Sequence, residues 1–120
     1  MSYEFYKVLH ILGLALVVLS LGGIIHHVIN GGTKQSDAFR KGTMITHGVG
    51  LVLLVVAGLG MLARLGILAT PPGWVIGKIV IWLALGAFVA IAYKKAALAK
   101  KFWIAVPVLV VISAVLAIYK

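Results

Sequence analysis

Four long apolar stretches, separated by short polar breaks, make up most of the 120 residues. They cover about 6–29, 42–65, 74–93 and 102–119. A helix needs about 20 apolar residues to cross the hydrocarbon core of a bilayer. Each stretch is long enough, so the pattern predicts an all-α, integral membrane four-helix bundle that runs up-down-up-down.

The breaks between the stretches contain residues that end helices. Asn30-Gly31-Gly32-Thr33 follows the first stretch, and such a cluster marks a turn. Thr70-Pro71-Pro72-Gly73 separates the second from the third, because two consecutive prolines cannot lie inside a helix. The first stretch is too long for a cleavable signal peptide, and no small-residue cleavage site follows it. The short breaks leave no room for a soluble domain, so residues 1–120 are predicted to form a single transmembrane domain.

The composition excludes several classes of protein. Hydrophobic residues make up 63% and charged residues 11% of the chain, against about 45–50% and about 25% in soluble domains. The absence of cysteine excludes a disulfide scaffold and a thiolate metal site. The acidic residues are Glu4 and Asp37, and neither lies deep in a predicted span. This argues against a di-iron carboxylate bundle, paired-carboxylate hydrolysis and a carboxylate pathway for protons or sodium.

The net charge of +9 is distributed unevenly. Basic residues concentrate in two of the three breaks, and these breaks lie on the same side of an up-down-up-down bundle. The positive-inside rule therefore places the two basic loops in the cytoplasm and both termini on the outer side of a bacterial inner membrane. The expected partners are the lipid bilayer and anionic lipids at the basic cytoplasmic loops, rather than nucleic acid. The basic residues of these loops are Lys34, Arg40, Lys41, Lys94, Lys95, Lys100 and Lys101.

Five ionisable residues lie within the predicted spans: His10, His26, His27, His47 and Lys78. Such residues are costly in a membrane and are functional candidates by default. By depth, His10 and Lys78 belong to the outer leaflet and the other three to the inner leaflet. The alternatives are a histidine bonded to a neighbouring helix, an interfacial histidine pair and a lysine that extends to the head groups.

The inner histidines suggest a site for a cofactor or a metal ion. Neutral imidazole is the commonest protein ligand of metals and also binds haem iron. His26 and His27 point about 100° apart on a helix, so the expected site is His47 with one of them, holding haem b or, alternatively, copper or zinc. His10 lies roughly 15–20 Å from His47 in depth, at about 1.5 Å per residue. We therefore expect His10, with Lys78 nearby, to form a separate second site.

Small residues lie beside His47 on the second span. Gly42, Thr46, Gly50 and Gly58 fall on one stripe. Such a stripe is typical of close helix packing, and it would also let a flat macrocycle approach the backbone. Thr43, one turn before His47, is a candidate hydrogen-bond partner for the ring.

Three short segments resemble a group of known membrane proteins. They are Val8-Leu9-His10, a basic residue followed by His47 in the second span, and Gly73-Trp74-Val75-Ile76-Gly77-Lys78. The pattern resembles small bacterial four- and five-helix membrane proteins of the SirB, CopD and HemJ type. The HemJ resemblance implies haem b and porphyrin chemistry, with His10 and Lys78 as the transferred positions. The CopD resemblance implies copper handling.

Together these features favour a small inner-membrane protein that binds b-type haem or a metal. Its expected role is electron transfer, porphyrin handling or redox accessory work. One alternative is a cofactor-free structural or accessory subunit of a larger membrane complex or homo-oligomer. Another is a small metal transporter. Whether the chain is an enzyme is left open by the sequence.

Overall fold

The computed structural model describes residues 2–118, which form four long helices. These are α1 (Tyr3–Ile29), α2 (Arg40–Leu65), α3 (Gly73–Lys94) and α4 (Ala99–Ile118), with one 3-10 turn at Ala96–Leu98. All four are long and apolar enough to cross a membrane, and no strand occurs in the described range. The predicted all-α four-helix bundle is confirmed, and the protein is a multi-pass membrane protein. Tyr119, the expected end of the last span, lies outside the described residues.

The helices begin and end where the polar breaks predict. The Ser2 hydroxyl accepts a hydrogen bond from the backbone N–H of Phe5 at 3.2 Å and so caps α1. Gly66 follows α2 with φ +74°, a left-handed conformation that glycine adopts without steric cost. α3 begins directly after Pro72. α4 continues through Pro107, which lacks an N–H and so leaves the carbonyl of Trp103 without its usual helical donor.

α1 and α2 cross in backbone contact at Gly13 and Gly50. A Cβ atom on Gly13 would lie 2.8 Å from the carbonyl oxygen of Gly50, and a Cβ atom on Gly50 would lie 2.8 Å from that of Gly13. Real Cβ atoms do not approach so closely, so the two glycines are required for this crossing. Small residues permit such approach between helices in a membrane.

The two helices keep one antiparallel register on both sides of this crossing. The residue numbers of facing pairs add up to between 63 and 68 along the whole contact. This register determines which side chains of α1 meet which side chains of α2. The facing pairs are Tyr6 with Gly60, His10 with Gly58, Val17 with Gly50, and Ser20 with His47.

The small-residue stripe of α2 packs against its own bundle. Gly50 faces Val17, and Gly58 faces the ring of His10 across ordinary van der Waals distance. Thr46 donates its hydroxyl proton to the carbonyl of Gly42 at 2.9 Å, within the helix. At Gly50 and Gly58 the stripe therefore serves helix packing.

α3 and α4 complete the bundle through larger side chains. The indole N–H of Trp82 donates to the carbonyl of Leu51 at 3.1 Å and ties α3 to α2. Phe88 and Phe102 stack with ring centroids 4.3 Å apart and join α3 to α4. α1 contributes most to the core, whereas the buried residues of α4 are Ala99, Phe102 and Val106. The result is a close α1–α2 pair with α3 and α4 packed beside it.

Candidate functional site

His47 lies on α2 and points into the bundle, with only 4% of its surface exposed. Its Nδ1 is 3.1 Å from the hydroxyl oxygen of Ser20 on α1. Ser20 in turn donates its single hydroxyl proton to the carbonyl of Val17 at 2.9 Å. Because that proton is already used, Ser20 accepts a hydrogen bond from Nδ1–H of His47. With both of these bonds made, the neutral ring carries its proton on Nδ1.

The other ring nitrogen of His47, Nε2, is buried and has no hydrogen-bond partner within residues 2–118. The backbone carbonyl of Gly86 on α3 is close to the ring, but it does not meet the geometry of a hydrogen bond to Nε2. In the tautomer that Ser20 fixes, Nε2 is an unprotonated acceptor. Leaving a buried polar group unpaired costs about 1–3 kcal/mol. A buried, oriented lone pair of this kind is suited to bind an electrophile or a donor.

His10 lies on α1 and repeats this arrangement with the helices exchanged. Its Nδ1 is 3.0 Å from the backbone carbonyl of Leu54 on α2. A carbonyl oxygen can only accept, so Nδ1 carries the proton and Nε2 of the neutral ring is unprotonated. The ring is half-buried. Each helix of the α1–α2 pair thus presents one imidazole whose Nδ1 is held by the other helix.

Lys78 is the basic residue of α3 that lies near His10. Its positive charge acts on the His10 imidazole. Both residues lie toward the end of the bundle where α1 begins and α2 ends. His10 and Lys78 therefore lie toward the same end of the bundle.

His10 and His47 lie far apart along the bundle. Ser20, which faces His47, is ten residues beyond His10 on α1. At about 1.5 Å per residue this separation is about 15 Å along the helix axis. One ion or one haem iron cannot be bound by both rings.

His26 and His27 make their described contacts away from His47. The His26 ring approaches Trp103 of α4, with centroids 6.1 Å apart. Nε2 of His27 is 2.9 Å from the carbonyl oxygen of Thr33 and so belongs to the α1–α2 loop. His26 is also six residues beyond Ser20, or about 9 Å along α1. A site shared between His47 and this pair therefore stays a prediction that none of these contacts supports.

Ser20 is the residue that sequence reasoning missed. The expected hydroxyl partner of His47 was Thr43, but Thr43 donates to the carbonyl of Phe39 at 3.0 Å, within its own helix turn. Ser20 is 3% exposed and sits in an otherwise apolar part of α1. A lone hydroxyl deep in an apolar span is the signal that could have identified it.

The side chains that could act as ligands within one chain suit some cofactors better than others. Across the described part of the chain, no group of three or more His, Cys, Asp or Glu side chains could hold a metal ion. A structural zinc site takes four protein ligands, so a closed site of this kind is not formed. Haem iron requires only one or two axial ligands from the protein, which single histidines can supply.

No protein-family model, curated protein or solved structure matches this chain. The two oriented imidazoles are therefore the features that point to a function.

Proposed function

We propose that this protein binds b-type haem, or alternatively a metal ion, through Nε2 of His10 or His47, within the membrane. Its role would be electron transfer, porphyrin handling or redox accessory work. One observation carries the proposal: Nδ1 of each ring is hydrogen-bonded to an oxygen atom of the other helix. This leaves Nε2 of each ring as the ligating atom.

This arrangement is the one that ligand histidines normally have. A metal-binding histidine donates its other ring N–H to a carbonyl, carboxylate or water, which fixes its tautomer and orientation. His10 has such a carbonyl in Leu54, and His47 has the Ser20 hydroxyl, itself bonded to Val17. The support is strongest at His47, because its Nε2 is both buried and unpartnered within the described residues.

The His10 centre has a second feature that favours haem. The ammonium group of Lys78 acts on the same ring, and a cation near an axial histidine could pair with a haem propionate. The resemblance to HemJ-type proteins names the same two residues. Haem would supply the redox chemistry when bound, while the chain's own part is to orient the imidazoles and exclude water.

We infer the orientation of the protein from the charge at its loops. The positive-inside pattern supports a bacterial inner membrane, with the loops at 30–39 and 95–98 toward the cytoplasm. Each bound group would then lie in a different leaflet, His10 in the outer and His47 in the inner.

The test is an absorption spectrum of the purified protein, oxidised in air and then reduced with dithionite, with elemental analysis of the same sample. We expect a Soret band that sharpens and shifts on reduction. His10→Ala and His47→Ala should each remove about half of the band per protein, and the double variant should remove all of it. His27→Ala is the matched control, because this ring is bonded to the loop at Thr33.

Three outcomes distinguish the proposal from its rivals. Loss of the band in His26→Ala or His27→Ala would show that one of these two histidines is a ligand of the haem. Stoichiometric copper or zinc without a Soret band would make this a metal-handling protein. Neither haem nor metal, in protein from iron-replete cells, would contradict the proposal and favour a cofactor-free accessory subunit.

A further inference from the structure

A groove runs along the outside of the bundle between α1 and α4. Its volume is about 280 Å³, and its walls are almost entirely apolar. A Cβ atom on Gly22 would meet no atom within 4 Å, so the absence of a side chain at this position leaves open space on the surface of α1. The groove is lined by Val18, Gly22, Ile25, Trp103, Val106 and Pro107.

One end of the groove lies at the end of α1 and the start of α4, where the apolar surface gives way to polar and basic side chains. The ring of His26 is exposed and packs 6.1 Å from the indole of Trp103, measured between centroids. Lys100 is three residues before Trp103 and seven before Pro107, so it lies on the same side of α4 as the groove. Lys101 lies about 100° further round the helix, away from the groove.

The charge at this end of the bundle is strongly positive. It holds seven basic residues, in the two loops or in the adjoining helix ends, and the acidic residue Asp37. Asp37 accepts a hydrogen bond from the hydroxyl of Tyr93 at 3.2 Å. The other acidic residue of the chain, Glu4, is in the first turn of α1 at the opposite end. A ligand at this mouth would therefore be complementary if it carried negative charge.

We propose that the α1–α4 groove is a binding site for an anionic phospholipid. One acyl chain lies along Gly22 and Pro107, and the phosphate sits at the mouth between Lys100 and His26. Trp103 spans the boundary between the two parts, since an indole has an apolar body and a polar N–H. This site is independent of the proposed cofactor centres, which lie on the opposite, inner side of α1.

Charge selectivity is what separates a specific site from general contact with lipid. Any bilayer lipid can cover an apolar surface, but an ammonium group near the membrane surface contributes about 1 kcal/mol for an anionic head group. Lys100 should therefore give a preference of about fivefold for an anionic over a zwitterionic lipid. Lys101 has the same charge and a neighbouring position, but not the same face of α4.

The experiment is native mass spectrometry of the whole chain in detergent. The protein is titrated with phosphatidylglycerol and, separately, with phosphatidylcholine of the same acyl chains. We expect the wild type to retain phosphatidylglycerol several-fold better. Lys100→Gln should lower this retention about fivefold, whereas Lys101→Gln should change it less than twofold.

A second pair of variants tests the acyl-chain part of the site. Gly22→Leu fills the groove and should weaken retention of both lipids. Gly23→Leu is its matched control, because a Cβ atom at Gly23 also meets nothing within 4 Å but Gly23 does not line the groove. Circular dichroism of each variant verifies that the helices are intact.

The proposal is overturned by equal retention of the two lipids, by equal effects of Lys100→Gln and Lys101→Gln, or by wild-type retention in Gly22→Leu. Displacement of phosphatidylglycerol by excess inorganic phosphate would also overturn it, because the site would then recognise the free anion. None of these results depends on whether the protein carries haem.

Discussion

The helices α1, α2 and α4 are all apolar enough to cross a membrane, but the α1–α2 pair and α4 pack differently. α1 and α2 touch backbone to backbone at Gly13 and Gly50 and enclose the polar pair Ser20 and His47. α4 buries mainly its first half, and large apolar side chains such as Val111 face outward. The comparison teaches that hydropathy identifies a span, whereas small residues decide which spans can hold polar groups between them.

The difference has a physical origin in the membrane. Lipid chains are as apolar as leucine, so helices in a bilayer associate through close packing and hydrogen bonds rather than through hydrophobic burial. The α1–α2 pair has both, in the glycine crossing and in the bonds made by His10 and His47. α4 has one aromatic stack, Phe88 on Phe102.

The largest expected effect comes from breaking the glycine crossing. Gly13→Ala or Gly50→Ala places a Cβ atom 2.8 Å from a backbone oxygen, so the helices must separate. We expect a loss of about 1–3 kcal/mol in stability, as for overpacked cores. The measurement is unfolding in detergent followed by circular dichroism.

The same substitution elsewhere on α1 is the control. Gly23→Ala adds its Cβ atom into open space and should leave the stability unchanged or raise it slightly, because alanine favours a helix more than glycine does. Equal stability of Gly13→Ala and Gly23→Ala would mean that the two backbones do not touch.

A smaller loss of stability is expected when a serine of α1 is replaced and the result is compared with replacement of a serine of α4. Ser20→Ala removes the acceptor of Nδ1 of His47 and should cost about 1–3 kcal/mol, the price of a buried unpaired group. Ser113→Ala makes the same change on α4 and should stay within about 0.5 kcal/mol. Ser20→Ala should also weaken any group bound at His47 by about 10–100-fold, as loss of a supporting bond does.

Unfolding of the two serine variants in parallel measures the first effect, and titration of the cofactor measures the second. If both variants lost the same stability, the Ser20–His47 bond would not be a special feature of the α1–α2 pair.

The smallest effect concerns the bond between α3 and α2. Trp82→Phe keeps the aromatic ring but loses the N–H that donates to the carbonyl of Leu51. Hydrogen bonds between membrane helices contribute about 0.6 kcal/mol on average, and we expect a loss of this size in detergent unfolding. Trp103→Phe on α4, whose ring is half exposed, should show no loss of stability. A larger loss in Trp103→Phe than in Trp82→Phe would mean that the indole of α4 makes the stronger contact.

The spans and their ends follow from the sequence because length, Pro71-Pro72 and the glycine after α2 are local signals. The imidazoles were also identifiable, since an ionisable group in an apolar span is conspicuous. Their partners were not, because the meeting of Ser20 with His47 depends on the register of two helices. That register follows from the three-dimensional fit at Gly13 and Gly50, which no local pattern encodes.

The constant register of α1 and α2 also has a consequence for the order of assembly. Every contact of this pair lies within residues 3–65, so its sequence separation is modest, and such topologies fold quickly. The hairpin of α1 and α2 can close as soon as Leu65 has been inserted, before α3 exists in the membrane. Both imidazoles then acquire their orienting bonds within the first half of the chain, and α3 and α4 join a site that is already shaped.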